Sequence, residues 1–211
     1  MTRPFGRWLG PALVLLFCLS QAFRDVYFGH VFQAVDFFAV ILIAFLLSTV
    51  IFTITPLLRA PGAFRKLRGH WRTVLAVNVT TALAWSCYFG ALSRVEPAIV
   101  NTLHSGMGPL TVVALGALGV RMAKAETIGW YEYFGYAGLA FSLVGLGWVV
   151  LSGHSSLAPA ADGAAILGVS LLVVSGCSIT ISLLYCKRLQ DHGVSADVVT
   201  AVRYILLIAI A

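Results

Sequence analysis

The chain has 211 residues, of which 60% are hydrophobic and only 10% are charged, with a formal net charge of +6 at pH 7. This composition excludes an ordinary soluble domain, in which about a quarter of the residues are charged. The positive charge does not indicate a nucleic-acid partner, because the cations lie in short segments beside apolar stretches rather than on one folded face. The partners expected for these cations are anionic lipid headgroups.

Long apolar stretches dominate the sequence. A helix that crosses a bilayer needs about 20 mostly apolar residues, because the hydrocarbon core is about 30 Å thick. The stretches that meet this requirement are Trp8–Phe28, Val35–Leu58, Thr73–Leu92, Pro97–Val120, Trp130–Leu151, Ala164–Tyr185 and Val194 to the end. We therefore predict an all-α membrane protein, a polytopic transmembrane helix bundle with about seven helices.

The cations are distributed unevenly between the predicted helices. Eleven of the 14 Lys and Arg residues occupy alternate gaps, namely Arg3, Arg7, Arg59, Arg65, Lys66, Arg68, Arg72, Arg121, Lys124, Lys187 and Arg188. Cytoplasmic loops carry the excess of Lys and Arg, so we predict a multi-pass protein of the cell membrane with a cytoplasmic N-terminus. No small-residue cleavage site follows helix 1, and an uncleaved first helix is therefore expected rather than a signal peptide.

Helix 3 carries polar and aromatic side chains on one face. Asn78, Thr81, Trp85 and Tyr88 follow the three-to-four spacing that places residues on the same side of a helix. Such a stripe in an apolar helix faces protein or water rather than lipid. We predict that it lines a substrate pathway whose aromatic rings stack on an amphipathic solute. The alternative is hydrogen bonding between helices.

Helix 4 also has a polar face, formed by Asn101, His104 and Ser105. Pro109 removes the intrahelical bond to the carbonyl of Ser105 and is expected to kink the helix. A kinked helix beside polar side chains is typical of a binding site near the membrane midplane. His104 is a candidate proton carrier, with a structural hydrogen bond as the alternative.

The segment Ser152–Gly163 is predicted to be a flexible linker after helix 5, and the chain then starts to repeat itself. Leu9-Gly10 corresponds to Leu167-Gly168, and with one inserted residue Phe45 corresponds to Tyr204. Five helices precede the linker, so the second unit enters the membrane from the opposite side. This predicts an inverted 5+5 repeat, with residues 1–157 as the first unit and 158–211 as the incomplete start of the second. A genuine seven-helix protein is the alternative.

Helix 7 contains Arg203, which lies six residues after Asp197 and therefore about 9 Å further along the helix. Placing an Arg at mid-membrane costs about 2.5–3.5 kcal/mol on insertion scales, so its presence there requires a structural or functional explanation. We predict that it faces a central cavity and holds an anionic group of a substrate. The alternative is that its side chain reaches the cytoplasmic headgroups.

Helices 3 and 4 resemble a known family. Ala84–Leu92, Glu96-Pro97-Ala98 and Gly108-Pro109-Leu110 are similar to the corresponding helices of EamA-type carriers of the drug/metabolite transporter superfamily, and Val202-Arg203-Tyr204 resembles the Arg-aromatic pair of that family. The sequence departs from the pattern at Ala44-Phe45 and Leu19-Ser20. The resemblance implies a secondary transporter of small metabolites, commonly amino acids or related compounds and often exported, without a cofactor.

Other function classes have less support in the sequence. An intramembrane lipid-modifying enzyme needs clustered acids, His or a metal site, and the acidic residues mostly flank the predicted helices. A membrane scaffold without transport activity would not need the polar faces of helices 3 and 4.

The spacing Gly138-x-x-x-Ser142 in helix 5 predicts close packing within the chain, with a homodimer contact as the lesser option. No catalytic residue and no metal ligand is predicted.

Overall fold

The computed structural model describes residues 5–31, 35–59, 62–123, 129–152 and 163–211. All regular secondary structure in these described residues is helical. The α-helices are Phe5–Val31 (α1), Phe37–Arg59 (α2), Trp71–Leu92 (α3), Pro97–Ala117 (α4), Trp130–Leu151 (α5), Ala164–Asp191 (α6), Ala196–Arg203 (α7) and Ile205–Ile210 (α8). Two 3₁₀ helices span Ala63–His70 and Arg121–Ala123.

The six long helices are apolar enough to cross a membrane, which confirms the predicted class of an all-α polytopic bundle. The seventh predicted helix is interrupted at Tyr204, where α7 ends and α8 begins. The backbone N–H of Leu206 would be unpaired at the start of a new helix, and the Oδ1 atom of Asn78 accepts it at 3.1 Å. A side chain of α3 therefore stabilises the break.

Most of the basic gap between α2 and α3 is occupied by the 3₁₀ helix Ala63–His70. Nζ of Lys66 in this helix donates a hydrogen bond to the carbonyl of Gly193, at a distance of 2.9 Å. The rings of His70 and His192 lie 4.6 Å apart. The α2–α3 and α6–α7 connections therefore meet at one end of the bundle, which we call the basic end.

The end of α1, the α3–α4 turn and the start of α6 meet at the opposite end. A Cβ atom added to Gly29 near the end of α1 would contact Pro97 at the start of α4. One added to Gly168 near the start of α6 would contact Val95 in the α3–α4 turn. The Lys- and Arg-rich α2–α3 connection and the α3–α4 turn thus lie at different ends, as a helix α3 that crosses the membrane requires.

The centre of the bundle is α3. It packs along α6 over most of its length and also contacts α8, while α4 also packs on α6 and α2 packs on α7 and α8. Gly176 allows the close approach of α4 and α6, because an added Cβ would meet the Met107 side chain and the His104 carbonyl. Tyr88 and Phe89 are fully buried in the core.

The outer helices present apolar surface. Phe23 of α1 is 74% exposed and Phe141 of α5 is 82% exposed, which suits a hydrocarbon solvent.

The prediction that Gly138 and Ser142 pack within the chain is wrong for the described residues. Both are exposed, and nothing lies within 4 Å of a Cβ placed on Gly138. Most of the predicted linker, residues 153–162, lies outside the described residues.

Candidate functional site

A pair of opposite charges lies inside the bundle on α1. Asp25 is six residues before the last residue of α1, about 9 Å along the helix from the end opposite the basic end. Its side chain is only 3% exposed, and that of Arg24 is 27% exposed. Nε and Nη2 of Arg24 donate to Oδ1 of Asp25 at 2.8 and 2.6 Å. Charges inside a membrane protein usually face the interior and mark a functional path.

Helix α3 holds the other side of this pair. The hydroxyl of Tyr88 donates to Oδ1 of Asp25 at 2.6 Å and accepts from Nη2 of Arg24 at 3.2 Å. The guanidinium carbon of Arg24 lies 5.4 Å from the centre of the Trp85 ring and 5.5 Å from that of Tyr88. A cation over an aromatic face is stabilised by the ring quadrupole, more strongly where water is excluded.

Helices α4 and α6 complete the cluster. The rings of Tyr88 and His104 lie 4.8 Å apart, and Nδ1 of His104 is 3.0 Å from Oγ of Ser175. Ser175 is fully buried and donates its single proton to the carbonyl of Ala84 at 2.7 Å. His104 must therefore carry its proton on Nδ1 and donate it to the serine. This arrangement joins three helices and does not activate Ser175 as a nucleophile.

Two polar atoms of the cluster are buried without a hydrogen-bond partner among the described residues. They are Oδ2 of Asp25 and Nε1 of Trp85. Buried polar groups are nearly always paired, so each exception calls for an explanation. An acceptor and a donor left unpaired beside an ion pair suit a ligand that carries both kinds of group.

Aromatic side chains surround the cluster on the side of the bundle centre. The Phe45 ring of α2 is 5.1 Å from the ring of Trp85 and 4.7 Å from that of Tyr204. Phe89 stacks on Trp85 at 5.5 Å. The charged groups therefore lie against an apolar aromatic wall, and such a wall raises the strength of electrostatic contacts by lowering the local dielectric.

The structure brings together three of the predicted site residues, namely Trp85, Tyr88 and His104. Asn78 and Thr81, on the same face of α3, lie outside this cluster. Asn78 caps α8 through its Oδ1 atom, and Oγ1 of Thr81 is 2.6 Å from Oγ of Ser182 on α6. Both of these side chains are used in contacts between helices, which was the alternative interpretation of the stripe.

The last two predicted residues also lie outside the hydrogen-bond network of the cluster. Asn101 is half-buried and accepts a hydrogen bond from Ser105 on its own helix at 3.2 Å. The guanidinium carbon of Arg203 lies 5.1 Å from the centre of the Tyr204 ring. Its Nε atom is buried and has no partner among the described residues. Arg203 thus lies beside Tyr204, whose ring contacts Phe45 of the aromatic wall.

Arg24 and Asp25, the charged residues of the site, are not among the predicted site residues. They fall inside predicted helix 1 but stand near its end. The rule that ionisable residues within a membrane helix mark a site would have selected them. Ser175 was one of several small polar residues of helix 6 and had no distinguishing pattern.

Among the described residues, no three His, Cys, Asp or Glu side chains come close enough to hold a metal ion.

No protein-family model, curated protein or solved structure matches the chain. The similarity to EamA-type carriers therefore stays a prediction drawn from short motifs.

Proposed function

We propose that this membrane protein is a secondary transporter that carries a small amino-acid-like metabolite, in the export direction, by alternating access. The observation that carries the proposal is the Arg24–Asp25 ion pair, placed inside an apolar bundle against Trp85 and Tyr88. Two adjacent opposite charges complement a solute that has both a carboxylate and an ammonium group. The exposed part of the Arg24 guanidinium receives the carboxylate, and the free Oδ2 atom of Asp25 receives the ammonium.

The inverted repeat is part of this proposal. Residues that are equivalent in two halves meet each other when they lie close to the two-fold axis that relates the halves. Phe45 and Tyr204 are equivalent in the sequence repeat, and their ring centroids are 4.7 Å apart. Phe45 is eight residues into α2, so it lies about 12 Å from the start of that helix, close to the middle of a 30 Å hydrocarbon core. This contact supports an axis at the midplane, where carriers of this plan bind their substrates.

Counterflow in proteoliposomes tests the proposal. Vesicles preloaded with a mixture of unlabelled amino acids are diluted into trace ¹⁴C-labelled amino acids, and a carrier produces a transient internal accumulation of label. The matched control is the variant Arg24→Leu/Asp25→Leu, which keeps an apolar bundle but lacks both charges. We expect accumulation with the natural chain and none with the variant.

The outcomes separate the function classes. A scaffold gives no accumulation above that of protein-free vesicles, and this result with a correctly folded chain contradicts the proposal. An intramembrane enzyme consumes its substrate, so chemical conversion of the label without accumulation also contradicts it. An Arg203→Ala variant with undiminished counterflow would remove Arg203 from the predicted site while leaving the cluster on α1 and α3 in place.

A further inference from the structure

A second polar pocket lies at the basic end of the bundle, far from the ion pair of α1. Its volume is about 570 Å³, and it opens between the start of α3 and the last turns of α6. Among its lining residues are His70, Arg72, Thr73, Tyr185 and Arg188. Each of these side chains offers a hydrogen-bond donor, and none of them is a carboxylate.

The two arginines of this pocket have no acidic partner within the part of the chain that the structure describes. No described carboxylate lies within 4 Å of the guanidinium group of Arg72 or Arg188. Asp191 stands one turn after Arg188 on α6 and does not reach it within that distance. Arg72 lies over the ring of Trp71, with its guanidinium carbon 5.4 Å from the ring centre, so its charge stays at the pocket.

The chemistry of the pocket suits a phosphate group. Arg guanidinium groups bind phosphate oxygens through paired N–H donors, and two of them on one pocket can share a single dianion or diester. His70, Thr73 and Tyr185 offer further donors for the remaining oxygens. The cations of the neighbouring 3₁₀ helix, including Arg65, Lys66 and Arg68, raise the positive potential around the entrance.

The position of the pocket along the membrane normal indicates which kind of molecule supplies the phosphate group. Trp71 begins α3 and is 60% exposed, and tryptophan at the end of a membrane helix marks the headgroup level. We propose that this pocket is a phosphate-binding site, with Arg72 and Arg188 as its main ligands, which holds the headgroup of an anionic phospholipid. A free phosphate compound presents the same chemistry, and the experiment distinguishes the two sources.

The test measures how many phosphatidylglycerol molecules stay on the purified full chain during delipidation, by native mass spectrometry. Each cation at a headgroup contributes about 1 kcal/mol, or about fivefold in affinity, so Arg72→Gln/Arg188→Gln should lower retention about 25-fold. The matched control is Arg59→Gln/Lys187→Gln, which removes two exposed cations at the same end but outside the pocket. We expect this control to keep most of the natural retention.

Equal losses of phosphatidylglycerol retention in the two double variants would mean that the lipid is attracted to the basic end as a whole, and this would overturn the proposed site. Natural retention in both double variants would also overturn it. A second variant guards against misfolding of the first. Ala76 lines the pocket, and Ala76→Leu fills space at unchanged charge. It should reduce phosphatidylglycerol retention, and natural retention by this variant would also overturn the proposal.

A separate arm identifies the source of the phosphate. The chain is placed in nanodiscs of phosphatidylcholine alone, and its thermal unfolding is followed with added inorganic phosphate or with an increasing fraction of phosphatidylglycerol. A shift that depends on Arg72 and Arg188 with phosphatidylglycerol alone supports a lipid headgroup. A shift with inorganic phosphate supports the same pocket with a soluble ligand, and a shift with neither overturns the site.

Discussion

The two halves of the polar face of α3 have different environments, although they belong to one stripe in the sequence. Asn78 and Thr81, nearer the basic end, form hydrogen bonds with α8 and α6. Trp85 and Tyr88, nearer the opposite end, face the ion pair of α1, and Nε1 of Trp85 stays without a described partner. A polar face in a membrane helix is therefore structural where neighbouring helices satisfy it, and a candidate site where charges and unpaired atoms remain.

The largest expected effect comes from breaking the ion pair. Asp25→Ala leaves Arg24 without its carboxylate, and removal of one partner of a buried pair costs about 3–5 kcal/mol. We expect about 3 kcal/mol, at the low end of that range, because the Arg24 side chain is 27% exposed. The free energy of unfolding in mixed micelles, titrated with a denaturing detergent, measures it.

The control for this change removes both charges. Arg24→Leu/Asp25→Leu leaves no unpaired ion, and replacing a buried pair by apolar side chains is often neutral or stabilising. The buried hydroxyl of Tyr88 loses both of its partners in this variant, so we expect a loss of about 1–2 kcal/mol, smaller than that of Asp25→Ala, together with loss of counterflow. A double variant as unstable as Asp25→Ala would mean that the pair serves the fold rather than a solute.

The next effect concerns the hydroxyl of Tyr88. Tyr88→Phe removes a donor to the Asp25 carboxylate, and hydrogen bonds to charged groups contribute about 1.5–3 kcal/mol. Arg24 still donates to the same oxygen, so we expect a loss near 1.5 kcal/mol. Tyr27, exposed on α1, is the matched control, and its change to Phe should leave the unfolding free energy unaltered. Equal losses in the two variants would contradict a specific contact.

The positions of the long helices could be predicted from the sequence because their solvent is the hydrocarbon of the membrane. Hydrocarbon requires long apolar helices, so the helices from Trp130 to Leu151 and from Pro97 onward begin where the sequence predicts them. The break at Tyr204 could not be predicted, because its stability depends on the Asn78 side chain, which lies 128 residues before Leu206. The same is true of the site, since only tertiary packing shows that Asp25 meets Tyr88 while Thr81 meets Ser182.

A smaller effect is expected on the structural half of the stripe. Asn78→Leu removes the acceptor of the Leu206 N–H at the start of α8, and a neutral hydrogen bond contributes about 0.5–1.5 kcal/mol. We expect a loss of about 1 kcal/mol in unfolding free energy and faster amide hydrogen exchange at Leu206. Asn101→Leu, on a half-buried side chain whose described hydrogen bond is with Ser105 of the same helix, is the comparison and should leave exchange at Leu206 unchanged.

The smallest effect tests whether Thr81 belongs to the site or to the fold. Oγ1 of Thr81 and Oγ of Ser182 are 2.6 Å apart and both residues are fully buried, so the pair joins α3 to α6 without access to a solute. Hydrogen bonds between membrane helices average about 0.6 kcal/mol in double-mutant cycles, and a cycle of Thr81→Val with Ser182→Ala should give a coupling energy of that size. Counterflow should keep its natural rate in both single variants. A coupling near zero together with a large loss of counterflow would move Thr81 into the binding site and remove the division of the stripe into two halves.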